Sequence, residues 1–553
     1  MNEFELLVHN SYRALLDIGP FIFDSKKVFI DDREKFFSLM FEQLPETVVD
    51  KESLRQLQID DLFNVMNHTR TATGAATLYR SLVQPPTSID LILAKQEALS
   101  ELNSNDRLRN TIIEFLEEVK KRGHISFATD PKLNGEEILY HLLSGRIDME
   151  RLETLFPYGY FRAAVKTGTK LANASKQIPK PESIYLKVLV SSVQGFDTTE
   201  SYRLMRGPIY RTFRGLKSKE YVDFLTPRWK FSPRRLSAPA LGIIIGSIVG
   251  CALTTPMSII REIASLALLA GLGYIGFGKV IIDYEKAIVP LARQLRAEPE
   301  FQLAIDSFGK LDELVSFYDY AKAMSFRMTL PKIGYAENHY FKAKNMRNPI
   351  IGMREGYVTE DITLDGCRIT FITGPNSGGK TTLVKTIAHG QIMGQIGCYV
   401  PADDVEMSVA DKIFYQFYLP DKLQSGEGDF GVNLGRTRDL FYVATPKSLV
   451  IFNTLASGTT PHEGNEQAVG ILSDFVAIGN NTVYVTHNYP VVQEFERRGI
   501  GQFLRTHFVD GQPTYKFVPG ISRESHAAQI AEKIGFSPED RRKHLIEKGY
   551  LKP

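Results

Sequence analysis

Over most of its first 330 residues the chain repeats apolar positions at helical spacing. From Asp60 the run DLFNVMNHTRTATGAATLYRSLVQPP sets Leu62, Val65, Met66, Leu78, Leu82 and Val83 at a period near 3.6. Pro85-Pro86 ends that pattern, because proline removes a backbone donor and clashes with the preceding turn. A further helix, SIDLILAKQEALSELNSN, follows the cap-like Thr87-Ser88, and the spacing predicts more helices over 106–122, 135–155 and 161–177. None of this shows the two-residue alternation of a strand. Residues 1–55 read as two short helical patterns around an extended piece, FIFDSKKVFID, and no role is assigned to them. From Asp283 to Pro331 the pattern is helical again. A strand-rich stretch, NPIIGMREGYVTEDITLDGCRITFITG, then leads into a glycine-rich turn.

Between the two helical regions the pattern changes. Leu236 to Ile260 holds no charged residue, and after Arg261-Glu262 a second apolar run, IASLALLAGLGYIGFG, reaches Gly278. Each run approaches the ~20 residues that cross a bilayer as a helix. Gly242, Gly246 and Gly250 recur every fourth position, and Gly271, Gly273, Gly276 and Gly278 enrich the second run. Such glycines let helices approach closely in lipid. Arg228, Lys230, Arg234 and Arg235 lie just upstream, where the positive-inside rule expects cytoplasm. The expectation is a transmembrane helical hairpin over 236–282 with both ends cytoplasmic. The alternative is a hairpin buried in a helical domain or a dimer interface.

Composition adds bounds. At 553 residues, 43% hydrophobic and 24% charged, the chain has the makings of several globular domains. A net charge of +2 argues against a global basic field for nucleic acid. Cys251, Cys367 and Cys398 match no zinc spacing and suggest a reducing compartment. The N-terminal MNEFELLVHNSYRALL carries acidic residues and no apolar core of a secretory signal.

The glycine-rich turn carries the chemistry. Gly374, Gly379, Lys380 and Thr381 fit G-x-x-x-x-G-K-[ST] between a short apolar strand pattern and a helical one. In such a loop successive N–H groups converge on a phosphate and the following helix adds its positive N-terminus. Gly374, Pro375, Asn376, Ser377, Gly378, Gly379, Lys380, Thr381 and Thr382 are therefore the candidate nucleotide-binding residues, with ATP and Mg²⁺ as cofactors. Lys380 supplies a charge for the β- and γ-phosphates, and Thr381 a hydroxyl for the metal.

The surrounding residues resemble the MutS family of DNA mismatch-repair ATPases. GPNSGGKTTLVKTIAHGQIMGQIGCYVPA is similar to that family's phosphate loop and following helix, as far as Gly397, Tyr399, Val400, Pro401 and Ala402. DLFNVMNHTRTATGAATLYRSLVQPP resembles the start of the MutS core, LDELVSFYDYAKAMSF its returning lever helix, and PGISRESHAAQIAEKIGFSPEDRRKHL its closing helical segment. In NPII and EGYVTEDITL, Tyr357 takes the place of an aromatic that stacks on adenine. The resemblance implies a homodimer in which Gly428, Asp429 and Phe430 of GEGDFGVNLGR reach the partner's ATP, and DNA as a ligand.

Departures from that pattern are informative. SLVIFNTLASGTTPHEG stands at the Walker B strand, and Asn453-Thr454 replaces its Asp-Glu pair. Asn453 still offers a neutral oxygen to Mg²⁺, whereas Thr454 cannot act as a general base near neutral pH. Catalytic candidates are thus His487, at the switch-histidine position of TVYVTHNYP, with Asn453 and Thr454; the metal candidates are Thr381 and Asn453. Glu463 and Glu466 lie nearby as substitute bases. Some 60 residues before the core are too few for a mismatch-reading domain, and the apolar hairpin stands where the family has its DNA clamp.

Taken together, the expected architecture is an all-α core and lever domain with an apolar helical hairpin, followed by an α/β P-loop ATPase domain. The expected boundaries are 1–55, 56–235 (core and ascending lever), 236–282 (membrane hairpin), 283–340 (descending lever) and 341–553 (ATPase). Two functional readings follow. One is a dimeric, membrane-tethered nucleotide switch with slow or absent hydrolysis, on the cytoplasmic face of a membrane. The other is a cytoplasmic DNA mismatch-repair-type ATPase, touching DNA through basic stretches such as RLMRGPIYRTFRGLKSK at 203–219.

Overall fold

The computed structural model describes residues 47–120, 157–213, 215–218, 228–233, 242, 245–249, 252, 259–273, 279–375, 378–417, 428–455, 460–510, 512–522, 532 and 534–552. The chain divides into two compact units. The first takes Met1–Gln43, Thr69–Thr77 and Ser100–Val315, and the second Leu44–His68, Leu78–Leu99 and Ser316–Pro553.

Helices dominate the first unit, including Asp106–Lys120, Pro157–Ser175, Ile184–Gln194, Glu200–Arg206 and the early turns of Pro299–Ala323. One apolar cluster gathers Tyr158, Phe161, Leu204, Met205, Ile209, Phe231, Ile288, Leu291 and Phe301. Beside it Asp283 is buried between two cations, Lys279 one turn earlier and Arg211 Nη1 at 3.1 Å, with the Tyr158 hydroxyl donating to it at 2.8 Å. A carboxylate so deep needs such partners, since its desolvation is otherwise prohibitive.

Carboxylates from distant parts of the chain also close helix N-termini in this unit. Glu101 accepts from the N–H groups of Glu182 and Ser183 at 2.7 and 2.8 Å, ahead of the Ile184–Gln194 helix. Glu298 accepts from Glu200 N at 2.9 Å. Asp312 accepts from Arg70 N and Thr71 N at 3.0 and 2.8 Å, where Ala72–Val83 begins. Each anion meets orphan donors and the positive end of a helix dipole. Gly74 is required at that last junction, because a Cβ there would lie 2.2 Å from Asp312 Oδ2.

Two expectations are corrected here. The core is not all-α, because it contains a three-stranded sheet, β2-β1-β3, built from β1 (Tyr210–Thr212), β2 (Gly215–Lys217) and β3 (Trp229–Lys230). Thr212 and Gly215 pair directly across the hairpin, and the positive φ of Gly215 (107°) permits the turn. The transmembrane hairpin over 236–282 is overturned as well. Among the described residues no helix is long and apolar enough to cross a membrane. Among the described residues the second run forms the helix Ile259–Gly273, 15 residues with a rise of about 22 Å against a ~30 Å hydrocarbon core. Most of the first run lies outside the described residues.

The second unit is built on sheets. Its six-stranded sheet has the order β13-β12-β7-β11-β10-β9, with β7 (Ile369–Thr373), β9 (Ile413–Phe417), β10 (Leu449–Asn453), β11 (Asn481–Val485) and β12 (Gln502–Val509) parallel. Only β13 (Gln512–Pro519) runs antiparallel, against β12. β7, β10 and β11 are buried at every position, as continuous apolar runs in a covered parallel sheet should be. Phe371, Phe452, Leu472, Phe475, Val491 and Phe495 belong to one core with the helices Gly428–Val443, Pro461–Ile478 and Tyr489–Arg497.

A second sheet, β4-β8-β5-β6, joins β4 (Lys332–Gly334), β5 (Phe341–Met346), β6 (Glu360–Leu364) and β8 (Asp404–Ser408). The helix Lys380–Gln395 packs on it through two glycines. A Cβ at Gly390 would lie 2.2 Å from Met346 Cε, and one at Gly394 2.4 Å from Met407 Sδ. This buried helix pairs most of its polar groups, although His389 Nδ1 is left without a partner. His389 Nε2 donates to Leu57 O at 2.6 Å, Gln391 Nε2 to Ser408 O at 2.9 Å, and Gln395 Nε2 to Ala410 O at 3.0 Å.

Replacing Asp312 with alanine strands two backbone donors and the Thr71 hydroxyl in a buried site. Asp312→Ala should lower unfolding stability by about 2–4 kcal/mol in urea titrations. Glu298→Ala, at a more exposed cap, should cost less than about 1 kcal/mol in the same titrations.

Candidate functional site

The glycine-rich loop leaves the C-terminal end of β7 and enters the helix at Lys380. Open parallel sheets bind ligands at this end, outside the carboxyl ends of their strands. Gly374 and Gly379 have φ of 128° and 84°, conformations that a side chain would strain. The loop also presses against β12, since a Cβ on Gly374 would lie 1.9 Å from Thr506 Oγ1 and one on Gly378 2.4 Å from Thr506 Cγ2. Asn376 and Ser377 lie outside the described residues.

Lys380 is buried, at 3% exposure, and its ammonium turns back to donate to Gly374 O at 2.7 Å and Pro375 O at 2.8 Å. Burial pulls its pKa down to about 8. The loop thus holds a cation shielded from water and hydrogen-bonded to two backbone carbonyls. Thr381, next in the helix, is exposed.

Asn453 ends β10 across from the loop, and its Nδ2 donates to Thr381 Oγ1 at 3.3 Å and to the Tyr415 hydroxyl at 3.4 Å. The fold therefore joins two residues 72 positions apart that the sequence paired as metal candidates. Thr454 takes φ of 67°, unusual for a β-branched residue, and its hydroxyl donates to Asn453 O at 2.6 Å. Its side chain is thereby turned onto its own backbone. Among the described residues no carboxylate is hydrogen-bonded to Thr381, Asn453 or Thr454.

His487 follows β11, which lies between β7 and β10. Its pKa is lowered first by desolvation and then by the charge of Lys380, so the two side chains sense one another. Thr382 belongs to the same helix turn, and its carbonyl accepts from Thr386 at 2.7 Å. The chain from Thr386 continues to Asn348 Nδ2 at 3.0 Å, and Asn348 N donates to the Tyr357 hydroxyl at 2.9 Å. Tyr357 is thus tied to the loop helix, with the Arg347 guanidinium 5.6 Å from its ring centroid. Burial raises the Tyr357 pKa, keeping the phenol neutral.

Gly428, Asp429 and Phe430 form the first turn of the Gly428–Val443 helix. Glu463 accepts from the Thr460 hydroxyl at 2.9 Å at the start of its helix, and Glu466 stands exposed 3.8 Å from His462. The sequence reading missed Thr506, Tyr415 and Tyr515. Tyr515 carries φ of 58° and stands 3.5 Å from the Cβ position of Gly379. It also missed Glu360, whose pKa burial lifts to about 7. Thr506, Tyr415 and Tyr515 lie in no motif, and only tertiary contacts bring them to the site, Thr506 and Tyr515 beside the loop and Tyr415 beside Asn453.

Family comparison bears on this arrangement. MutS domain III matches residues 44–317 and MutS domain V matches residues 370–540, which includes the loop, β10 and β11. The chain belongs to the MutS family. Among its relatives, DNA mismatch repair protein MutS of Caldicellulosiruptor bescii is 34% identical over 281 residues, 47% of this chain and 32% of that protein. The MutS protein of Caldicellulosiruptor saccharolyticus is 32% identical over 284 residues, with the same coverage of 47% and 32%. DNA mismatch repair protein MSH3 of Kluyveromyces lactis is 29% identical over 264 residues, 43% of this chain and 26% of that protein. The matched part of this MutS-family chain therefore spans about a quarter to a third of these relatives.

The depressed pKa of Lys380 has a sign that can be checked. The unfolded chain holds this proton up to the ordinary 10.5, the folded chain only to about 8. Burial of the charge therefore penalises the fold below about pH 8, and the penalty fades as pH rises from about 8 to 10.5. In urea titrations of the nucleotide-free protein, the stability of the wild type should rise relative to Lys380→Met as pH goes from about 8 to 10.

Proposed function

We propose that this MutS-family chain binds a nucleoside triphosphate at its Gly374–Thr382 loop and serves DNA mismatch repair as an ATP-controlled, DNA-binding dimer. The observation that carries the nucleotide reading is the buried Lys380 ammonium held at the loop, with Asn453 bonded to Thr381 beside it. The DNA reading is supported by the names of the relatives, each a DNA mismatch repair protein. The membrane-tethered switch is abandoned, since among the described residues no helix is long and apolar enough to cross a membrane.

In this reading the loop N–H groups and the helix N-terminus receive the phosphates, and Lys380 leaves its two carbonyls for the terminal ones. Tyr357 offers its ring to the base. Mg²⁺ would neutralise phosphate charge, held by the Thr381 hydroxyl and by Asn453 once its amide turns its oxygen inward. Both donors are neutral, so the metal would depend on the nucleotide phosphates more than in sites with carboxylates. His487 polarises the terminal phosphate or orients a water. Thr454 is bonded to its own backbone and cannot accept a proton, so turnover is slow. Gly428, Asp429 and Phe430, at a helix N-terminus, complete the partner's site in the dimer.

Calorimetry with ATP and gel-shift titrations with matched and mismatched duplexes test the reading. The wild type should bind ATP, and Lys380→Ala should weaken binding by about tenfold or more. ATP should alter the affinity for a mismatched duplex, and DNA binding should weaken steeply with salt. Equal ATP affinity in wild type and Lys380→Ala overturns the site, and an absence of DNA binding at low salt overturns the repair role.

Turnover is tested by restoring acids. Asn453→Asp with Thr454→Glu should raise single-turnover hydrolysis by about tenfold or more, since general-base catalysis is worth roughly 10²–10⁴. Thr454→Glu alone should do less, because the metal still lacks a carboxylate. An ordinary wild-type rate abolished by Glu463→Gln or Glu466→Gln would instead reveal a relocated base.

A further inference from the structure

Thr506 is 4% exposed, and its hydroxyl has no hydrogen-bond partner. Its neighbours have theirs: Thr514, on the paired strand, bonds His507 Nδ1 and His507 O, each at 3.0 Å. A buried hydroxyl left unpaired is expensive, so its persistence calls for a reason. Its position supplies one. Thr506 fills the space that side chains on Gly374 and Gly378 would need, with Oγ1 on the Gly374 side and Cγ2 on the Gly378 side.

The Lys380 ammonium meanwhile occupies Gly374 O and Pro375 O, at 2.7 and 2.8 Å. A bound triphosphate draws that ammonium away, because a phosphate oxygen is a far stronger acceptor than a peptide carbonyl. Two buried carbonyls then lose their donor beside a buried hydroxyl that lacks an acceptor. We propose that Thr506 is a positioning residue for the nucleotide-filled loop: its hydroxyl donates its single proton to one of the two carbonyls, Gly374 O or Pro375 O, that Lys380 releases. The proposal rests on the reading of this loop as a nucleotide site. Thr506 thereby makes the lysine's transfer less costly and holds the loop in its phosphate-bound shape.

An opposite response of the empty and filled protein identifies this role. Valine keeps the shape of threonine and removes the hydroxyl, whereas serine keeps the hydroxyl. In the full chain, Thr506→Val should bind ATPγS with Mg²⁺ about 3- to 10-fold more weakly by calorimetry. Its melting temperature without nucleotide should equal or exceed that of the wild type, because the orphan hydroxyl is gone. Thr506→Ser should bind within about twofold of wild type. Wild-type affinity in Thr506→Val overturns the proposal, and so does an affinity loss that accompanies a lower nucleotide-free melting temperature, which would mark a packing role. A wild type that binds no ATPγS overturns the nucleotide reading with it, whereas a binding wild type matched by Thr506→Val leaves that reading standing.

Discussion

Burial of the Lys380–Gln395 helix is the constraint on which the second unit depends. Thirteen of its sixteen residues are buried, and from Thr386 to Gln395 it has no exposed position. Its buried polar side chains find partners in protein: His389 Nε2, Gln391 and Gln395 donate to the carbonyls of Leu57, Ser408 and Ala410, while His389 Nδ1 stays unpaired. Every close contact must be shaped, which is why Gly390 and Gly394 face Met346 and Met407. A helix held this way cannot shift without breaking several bonds at once. Its N-terminus, where Lys380 stands, is held in place as a consequence.

That rigidity gives the loop its electrostatic character. Lys380 is part of the buried helix, so its charge is removed from water and its pKa falls to about 8. Carbonyls of the loop compensate in part, through Gly374 and Pro375. The same burial leaves Thr506 pressed against the loop without a partner. One loop group is thus satisfied by backbone carbonyls and its neighbour is left unsatisfied by the same packing.

In the first unit the corresponding theme is the carboxylate delivered from afar. Glu101 closes a helix start without a local side-chain cap, while Glu298 and Asp312 add distant carboxylates to starts that Thr199 and Thr71 also cap. Asp312 does so at the deepest site, where desolvation raises its pKa against the pull of its hydrogen bonds. The helices of this unit are thus joined by polar contacts at their ends as well as by the apolar cluster around Phe161 and Phe231. A different outcome holds at Ile259–Gly273, where Ile259, Ile263, Leu266 and Leu269 are each more than 60% exposed.

Local patterns in the sequence were enough to mark what depends on neighbours along the chain. The helical period after Asp60, the strand of Ile369–Thr373, the glycine-rich loop and Asn453-Thr454 at the end of a buried strand were all legible, because each is specified by residues a few positions apart. The same local view misjudged the apolar run near 259–273, since among the described residues no helix is long and apolar enough to cross a membrane. It missed the sheet β1–β3, whose strands of two or three residues carry no period. Strand order was beyond it altogether. Only the tertiary structure sets β12 beside β7, and with it Thr506 against Gly374, or brings Asn453 to Thr381 and Asp312 to Thr71. Those contacts join residues tens to hundreds of positions apart, and their energy comes from burial, which no short stretch of sequence can express.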